Sequence, residues 1–227
     1  FRVKDLEPGF YKATLSLESK MGNKKHNFNF GYEPEKIVSP ADPQPDFAEF
    51  WQRAKDELAG VDPQYKLIRI DSLCTEKQNV YLVEMRSLGN ALIRGWYRVP
   101  VKPGRYPAIM QVQGYSSVMV PSYVNYGDDV IGFGLNIRGH GNSTDDVNPG
   151  FPGYILTNLE DKEKYIYRGA YMDCVRAVDF LCSRPEVDAS RIAVEGASQG
   201  GALTFATAAL ANDRIAVCAP QVPFLSD

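Results

Sequence analysis

Along this chain, apolar and polar positions follow three successive patterns. In residues 1 to about 33 the period is two: Phe10 to Leu17 is a β-rich run, and Phe28, Phe30 and Tyr32 alternate with polar neighbours in Asn27 to Tyr32. Pro8-Gly9 and Gly22-Asn23 read as the turns between these runs. Two or three strands are marginal alone, so residues 1–39 are expected to be part of an accessory, sandwich-like β segment with its linker. Pro34, Pro40, Pro43 and Pro45 form a stiff connector, and a second domain is expected over 40–227. There the period changes. Asp46, with Glu49 three residues on, reads as a capping box for a helix with Phe47, Phe50, Trp51, Ala54 and Leu58 on one face, closed by Gly60.

Beyond that helix, short buried runs alternate with helical stretches. Tyr65 to Ile70, Val80 to Ser87 and Leu92 to Val99 predict three strands, the last two joined by a Gly89-Asn90 turn. Ala108 to Val112, Val130 to Ile137, Ile192 to Glu195 and Ile215 to Ala219 predict four more. Between them lie a short helix around Val120 to Tyr126, a polar surface loop over 144–164, a helix over Ala170 to Cys182 and a small-residue helix over Gly201 to Leu210. This order predicts an α/β fold, an open and mostly parallel sheet with helices on both faces. Ligands in such sheets sit beyond the carboxyl ends of the strands. The turns after Val112, Ile137 and Glu195, each bearing glycine, are expected there.

Composition narrows the chemistry. The 227 residues carry a net charge of −3 with no basic stripe, which points away from nucleic acid and from an anionic membrane. No run of about eighteen apolar residues predicts a membrane span, and Phe1-Arg2-Val3-Lys4 does not read as a signal peptide. Cys74, Cys174, Cys182 and Cys218 lack disulfide or zinc spacing and read as free core thiols; with only two histidines, no metal site and no cofactor is expected. His26 reads as a solvated loop residue. The compartment stays open, periplasm or secretion standing slightly ahead of cytoplasm.

The chemical signal is Gly196-Ala197-Ser198-Gln199-Gly200, a Gly-x-Ser-x-Gly between a strand and a helix. That order is the nucleophile elbow of the α/β-hydrolase fold, in which the serine occupies a strained turn with its Oγ exposed, so Gly196 and Gly200 must stay small. Ser198 is the candidate nucleophile. By position, the backbone N–H groups of Gln199 and Tyr115 are the candidate oxyanion hole. A serine needs a base, oriented by an acid, yet no histidine follows Ser198. His140 precedes the elbow, against the order usual on this fold, and reads as a supporting residue. Asp227 reads as a cap for a following helix rather than the acid. The chain is therefore expected to be a fragment, an α/β-hydrolase truncated after about the sixth strand, with the acid and the base beyond Asp227.

The run Ser190 to Gly201, Gly114-Tyr115, the Arg138-Gly139-x-Gly141 turn, Tyr165-Ile166-Tyr167-Arg168 before a helix bearing Asp173, Arg176 and Ala177, and Pro45-Asp46-Phe47-x-x-Phe50-Trp51 together resemble the acetyl xylan esterase and cephalosporin-C deacetylase family of carbohydrate esterases. The resemblance covers roughly residues 40 to 227. It implies removal of acetyl groups from acetylated xylo-oligosaccharides and similar small esters through an acetyl-enzyme, with Ser198 as nucleophile. It also implies an acetylated carbohydrate as partner, and allows a ring-like homo-oligomer of the full-length protein. Where the family usually has His before Gly-Tyr, this chain has Gln113; where it has Asp-x-Arg-Gly-Gln-Gly, this chain has Asn136, Arg138 and His140. These departures are expected to surround the acyl pocket. Two rivals stay open: a prolyl-oligopeptidase-like peptidase, which shares the elbow, and a non-catalytic carbohydrate-binding relative. Residues 1–227 produced alone are expected to be poorly soluble and hydrolytically silent. Turnover of an aryl acetate by that chain, abolished by Ser198→Ala, would overturn this and restore His140 as a base.

Overall fold

A computed structural model describes residues 5–38 and 44–224. The expected boundary at 39/40, Pro40, Pro43 and Asp227 lie outside the described residues. The chain divides into two compact units, one ending at Pro45 and the other beginning at Asp46. The first holds an antiparallel hairpin of β1 (Gly9–Ser19) and β2 (Gly22–Tyr32). Lys20 and Met21 form its loop, and Gly22, at φ +118°, starts the return strand. The turn therefore falls two residues before the expected Gly22-Asn23, and His26 sits in β2 rather than in a loop. Tyr11, Ala13, Leu15 and Leu17 share a face with Phe30, Phe28 and His26, so the hairpin is two-sided.

The second unit is built on one seven-stranded sheet, a strand beyond the six or so expected: β3 (Lys66–Arg69), β4 (Gln78–Arg86), β5 (Leu92–Pro100), β6 (Tyr106–Val112), β7 (Ile131–Asn136), β8 (Val187–Ala197) and β9 (Val217–Gln221). Their order across the sheet is β3-β4-β5-β7-β6-β8-β9. The last four strands in that order are mutually parallel, while β3, β4, β5 and β7 pair antiparallel, so all but β3 and β5 run one way. This is the mostly parallel sheet expected, with an antiparallel margin.

Register explains the two faces. One row, Tyr81-Tyr97-Phe133-Met110-Val194-Cys218, crosses six neighbouring strands. It faces α2 (Ile166–Cys182), whose Phe180 ring lies 5.2 Å from Tyr97 and 5.3 Å from Phe133. The helices α1 (Phe47–Ala59) and α3 (Gln199–Leu210) pack beside α2 on this face, with Ala54, Leu58, Met172, Val175 and Leu210 in contact. The adjacent row carries Gly134, and Gly132 lies on the same side. A Cβ on Gly132 would come 2.0 Å from the Val124 carbonyl oxygen, so these glycines seat the 3₁₀ turn Pro121–Val124 on the opposite face. The three α-helices thus share one face, and the short helix expected near Val120 is that turn. No helix among the described residues is long and apolar enough to cross a membrane.

Local signals failed where long-range contacts overrode them. Asp46 makes no capping hydrogen bond, because its carboxylate instead pairs with Lys162. The helix α2 begins four residues before Ala170, and Gly169 inside it is a seat: a Cβ there would lie 2.2 Å from Arg138 Nη1. Of the four free cysteines, Cys174 alone is fully buried. Arg176 Nη2 donates to Leu58 O (2.7 Å) and Val61 O (2.9 Å), closing the carboxyl end of α1.

Asp173 on α2 holds the turn after β7. Its carboxylate accepts from Arg138 N (2.9 Å), Nε (2.9 Å) and Nη2 (2.7 Å), and Nη2 also donates to Leu88 O (3.0 Å). Burial works against the guanidinium's charge, and the Asp173 carboxylate outweighs it, leaving the Arg138 pKa raised. Removing one partner strands a buried charge, so Asp173→Ala is expected to cost about 3–5 kcal/mol in urea unfolding. A loss below about 1 kcal/mol would show that water reaches and solvates the guanidinium.

Candidate active site

The parallel strands β6, β7 and β8 end together at Val112, Asn136 and Ala197, bringing the three glycine-bearing turns to one edge of the sheet. Ser198 is the single residue between β8 and α3. Its backbone is at φ 56°, ψ −119°, a region that costs a side-chain-bearing residue roughly 1–3 kcal/mol. Three backbone hydrogen bonds hold it there: Ser198 N donates to Gln221 O (3.0 Å), and Ser198 O accepts from Ala202 N (3.2 Å) and Phe224 N (2.9 Å). The residue is exposed, and no hydrogen bond among the described residues engages Oγ.

The flanking glycines are required by approach rather than by dihedral angle. A Cβ on Gly196 would lie 2.7 Å from both Gly200 O and Val112 O, and one on Gly200 would lie 2.4 Å from Val112 O. Gly201, which sequence reading gave no such role, is equally tight, 2.7 Å from Gln221 O. The loop after β6 therefore lies against the first turn of α3. Gly114 belongs to it, with its Cβ direction 3.6 Å from Ala197 O.

That first turn presents N–H groups that have no partner within the helix, and the positive end of the helix dipole with them. Among the described residues neither the Gln199 N–H nor the Tyr115 N–H has a hydrogen-bond acceptor. Tyr115 is held by its side chain: the hydroxyl donates to Pro152 O (2.7 Å) and accepts from Ile155 N (3.2 Å). The loop over 144–164 is thus tied to the site. No group of three or more His, Cys, Asp or Glu side chains among the described residues is gathered to hold a metal ion.

The Gln199 side chain is completely buried. Its Oε1 accepts from Tyr167 OH (2.7 Å), and its Nε2 faces His140 Nε2 (3.1 Å) and Gln113 O (3.5 Å). His140, 0% exposed, is boxed by the rings of Phe151 (4.9 Å) and Tyr154 (4.6 Å). Burial pushes its pKa down to about 4, against a smaller upward pull from the Arg138 carbonyl and from Asp173. The neutral ring takes the amide hydrogen of Gln199 on Nε2, which places its own proton on Nδ1, 3.5 Å from Arg138 O. With that nitrogen engaged, His140 is not placed to serve Ser198 as a base. Tyr167 had no role in the sequence reading. Its only signal was the Tyr-x-Tyr-Arg segment, which opens α2.

The three departures from the family pattern do not line an open pocket. Gln113 donates from its amide nitrogen to Leu135 O (2.7 Å) and accepts from Ile137 N (3.2 Å). Asn136 accepts from Met119 N (2.8 Å) and donates to Met119 O (3.1 Å) and Asn142 Oδ1 (2.9 Å). All three side chains are buried in the layer behind the exposed serine, and none hydrogen-bonds to it. Buried polar groups of this kind need every partner they have.

The His140 shift has a consequence for stability. A folded pKa near 4 against an ordinary 6.5 means the unfolded chain binds more protons between those values. The stabilisation is complete above pH 6.5 and lost as pH falls through 4, about 3 kcal/mol in all. Urea unfolding at pH 7 and pH 4 is expected to show that loss in the wild type and a smaller one in His140→Gln. Equal losses in the two proteins would contradict it.

Comparison with known proteins agrees with this geometry. The acetyl xylan esterase (AXE1) family matches residues 31–227. Acetyl esterase Axe7A of Xylanibacter ruminicola is 29% identical over 234 residues, covering 97% of this chain and 52% of that protein. Among solved structures, an acetyl xylan esterase from Paenibacillus sp. R4 superposes with TM-score 0.77 at 31% identity, covering 84% of this chain and 63% of that one. Acetyl xylan esterase 1 from Thermoanaerobacterium sp. JW/SL YS485 gives 0.74 at 32% identity, covering 81% and 60%. The chain spans about half the length of the curated relative it matches. With an exposed serine in a strained strand-to-helix turn and a sheet of the α/β-hydrolase kind, this chain belongs to the acetyl xylan esterase family.

Proposed function

We propose that the full-length protein is a serine esterase that removes O-acetyl groups from acetylated xylan, xylo-oligosaccharides or similar small acetyl esters. The observation that carries this reading is the elbow itself: Ser198, exposed and held at positive φ at the end of β8, stands directly before the first turn of α3. Membership of the acetyl xylan esterase family and the names of the related proteins favour acetyl esters over peptides.

In this reading Ser198 Oγ attacks the acetyl carbonyl carbon. The carbonyl oxygen becomes an oxyanion facing the N–H groups of Tyr115 and Gln199, with the α3 dipole adding to the field. Collapse expels the sugar alkoxide, which takes up a proton, and leaves an acetyl-enzyme on Ser198. Water then attacks that ester, and acetate departs through the same oxyanion arrangement. The proton of Oγ needs an acceptor. His140 is engaged with Gln199, so the imidazole and its orienting acid belong outside the described residues. Gly196 and Gly200 keep the elbow closed against β6, and an acetylated carbohydrate is the partner. A homo-oligomer of the full-length protein belongs to the same proposal.

Ser198→Ala in the full-length protein is expected to lower kcat on 4-nitrophenyl acetate and on acetylated xylo-oligosaccharide by about 10⁴-fold or more. A proline-containing aminoacyl amide tested beside them is expected to be left intact. Cleavage of that amide in preference to the acetyl esters would replace the esterase by a peptidase, and retention of esterase activity in the alanine variant would remove Ser198 from the chemistry.

A further inference from the structure

Gln199 contributes two things at once. Its backbone N–H stands first in α3, next to Ser198, while its side chain runs the other way into the core, where it is completely buried. A buried primary amide is stable only if its donors and acceptor are matched. Here they are, by three residues from three separate elements: the Tyr167 hydroxyl of α2 donates to Oε1 (2.7 Å), His140 of the turn after β7 accepts from Nε2 (3.1 Å), and the carbonyl of Gln113 after β6 faces Nε2 (3.5 Å).

The direction of each hydrogen bond is forced. The Gln113 carbonyl can only accept, so the amide nitrogen faces it and His140, the Tyr167 hydroxyl donates to Oε1, and His140 offers a lone pair rather than a proton. The surroundings guarantee this. The imidazole is enclosed by Phe151 and Tyr154, with Tyr115 edge-on at 6.5 Å, and its other nitrogen points to Arg138 O. Asp173, whose charge acts on the ring, is itself paired with Arg138, and its upward pull is smaller than the effect of burial. The ring is therefore an uncharged acceptor at neutral pH.

We infer that His140 and Tyr167 are positioning residues that aim the Gln199 backbone N–H by clamping the Gln199 side chain from both ends. The inference rests on the esterase reading proposed above. Ser198 sits in a strained conformation, and its ψ angle sets the direction of the Gln199 N–H. An unclamped Gln199 would let that peptide rotate toward a relaxed geometry, and a donor turned off the developing oxyanion stabilises it less than one aimed at it. The same two side chains also connect the turn after β7 and the head of α2 to the elbow, so the three segments move as one.

The test uses the full-length enzyme with four variants: Ser198→Ala, His140→Leu, His140→Gln and Tyr167→Phe. Leucine keeps the bulk but offers no acceptor. Glutamine places an amide oxygen near the position of Nε2 and restores one. His140→Leu and Tyr167→Phe are each expected to lower kcat on 4-nitrophenyl acetate about tenfold, part of the 10²–10³-fold that a lost oxyanion donor costs, with KM changed by less than about threefold. His140→Gln is expected to recover most of the loss, and the double variant His140→Leu/Tyr167→Phe to fall no further than the worse single one, because both act through one side chain. Should His140→Leu fail to fold, Tyr167→Phe decides, since it deletes a single oxygen. Wild-type kcat in Tyr167→Phe and His140→Leu, with Ser198→Ala inactive, would overturn the clamp and leave the esterase standing. Losses that follow thermal stability alone, fall on KM as much as kcat, or are not recovered by glutamine would also overturn it. A wild-type enzyme without esterase activity, or one indifferent to Ser198→Ala, would overturn the esterase reading and the clamp with it.

Discussion

One close backbone contact in the sheet unit is the one on which its site depends. The carbonyl of Val112, at the end of β6, lies where any Cβ on Gly196 or Gly200 would have to go. A strand end, a turn and a helix start are thereby compressed into a space that admits only backbone. Ser198, flanked by these glycines, can relax its dihedral angles only within the small space that β6 and α3 leave. Stored strain persists where the surroundings over-determine it, and here the surroundings are hydrogen bonds to Gln221 and from Ala202 and Phe224 together with the packed glycines.

Around that contact the molecule separates two tasks. The sheet face toward α2 is apolar and aromatic, with Tyr97, Phe133 and Phe180 in mutual contact, and supplies rigidity. The strand ends carry the polar networks. Arg138 and Asp173 fix the turn after β7, Asn136 stitches that strand to Met119, and Gln113 stitches β6 to β7. Beside these networks stand the exposed serine and the N–H groups of Tyr115 and Gln199, which have no acceptor among the described residues.

How much of this could be read from the sequence depended on distance along the chain. Ser198, Gly196 and Gly200 were legible because five consecutive residues carry both the turn and its steric demand. Most strand positions were legible from periodicity, since those strands have a buried and a less buried side, while β7, buried on both, was legible as a short apolar run. The start of α2 was not, because glycine within a helix reads as a break unless the guanidinium that fills its place is known. The Asp46 cap was misread for a similar reason: Lys162 competes for the same carboxylate. The Gln199 network joins residues separated by 32, 59 and 86 positions, and no local pattern announces such partners. His140 illustrates the gap best. Its place before the elbow marked it as a supporting residue, but not as the neutral acceptor, at pH 7, for the Gln199 amide.

The loop over 144–164 is held at its middle and at its ends by different forces. At the middle Tyr115 fastens Pro152 and Ile155 through its hydroxyl and packs edge-on against Phe151. At the ends, Asp145 pairs with Arg94 and Asp146 with Arg86, and Lys162 with Asp46, Glu163 with Arg53, and Arg168 of α2 with both Glu57 and Glu163. Exposed ion pairs weaken as counterions screen them, whereas hydrogen bonds between neutral groups do not. Ionic strength therefore acts on the ends of the loop and spares its middle, so the dissolved salt around the protein tunes how firmly α1 and the sheet grip the loop without loosening its hold on Tyr115.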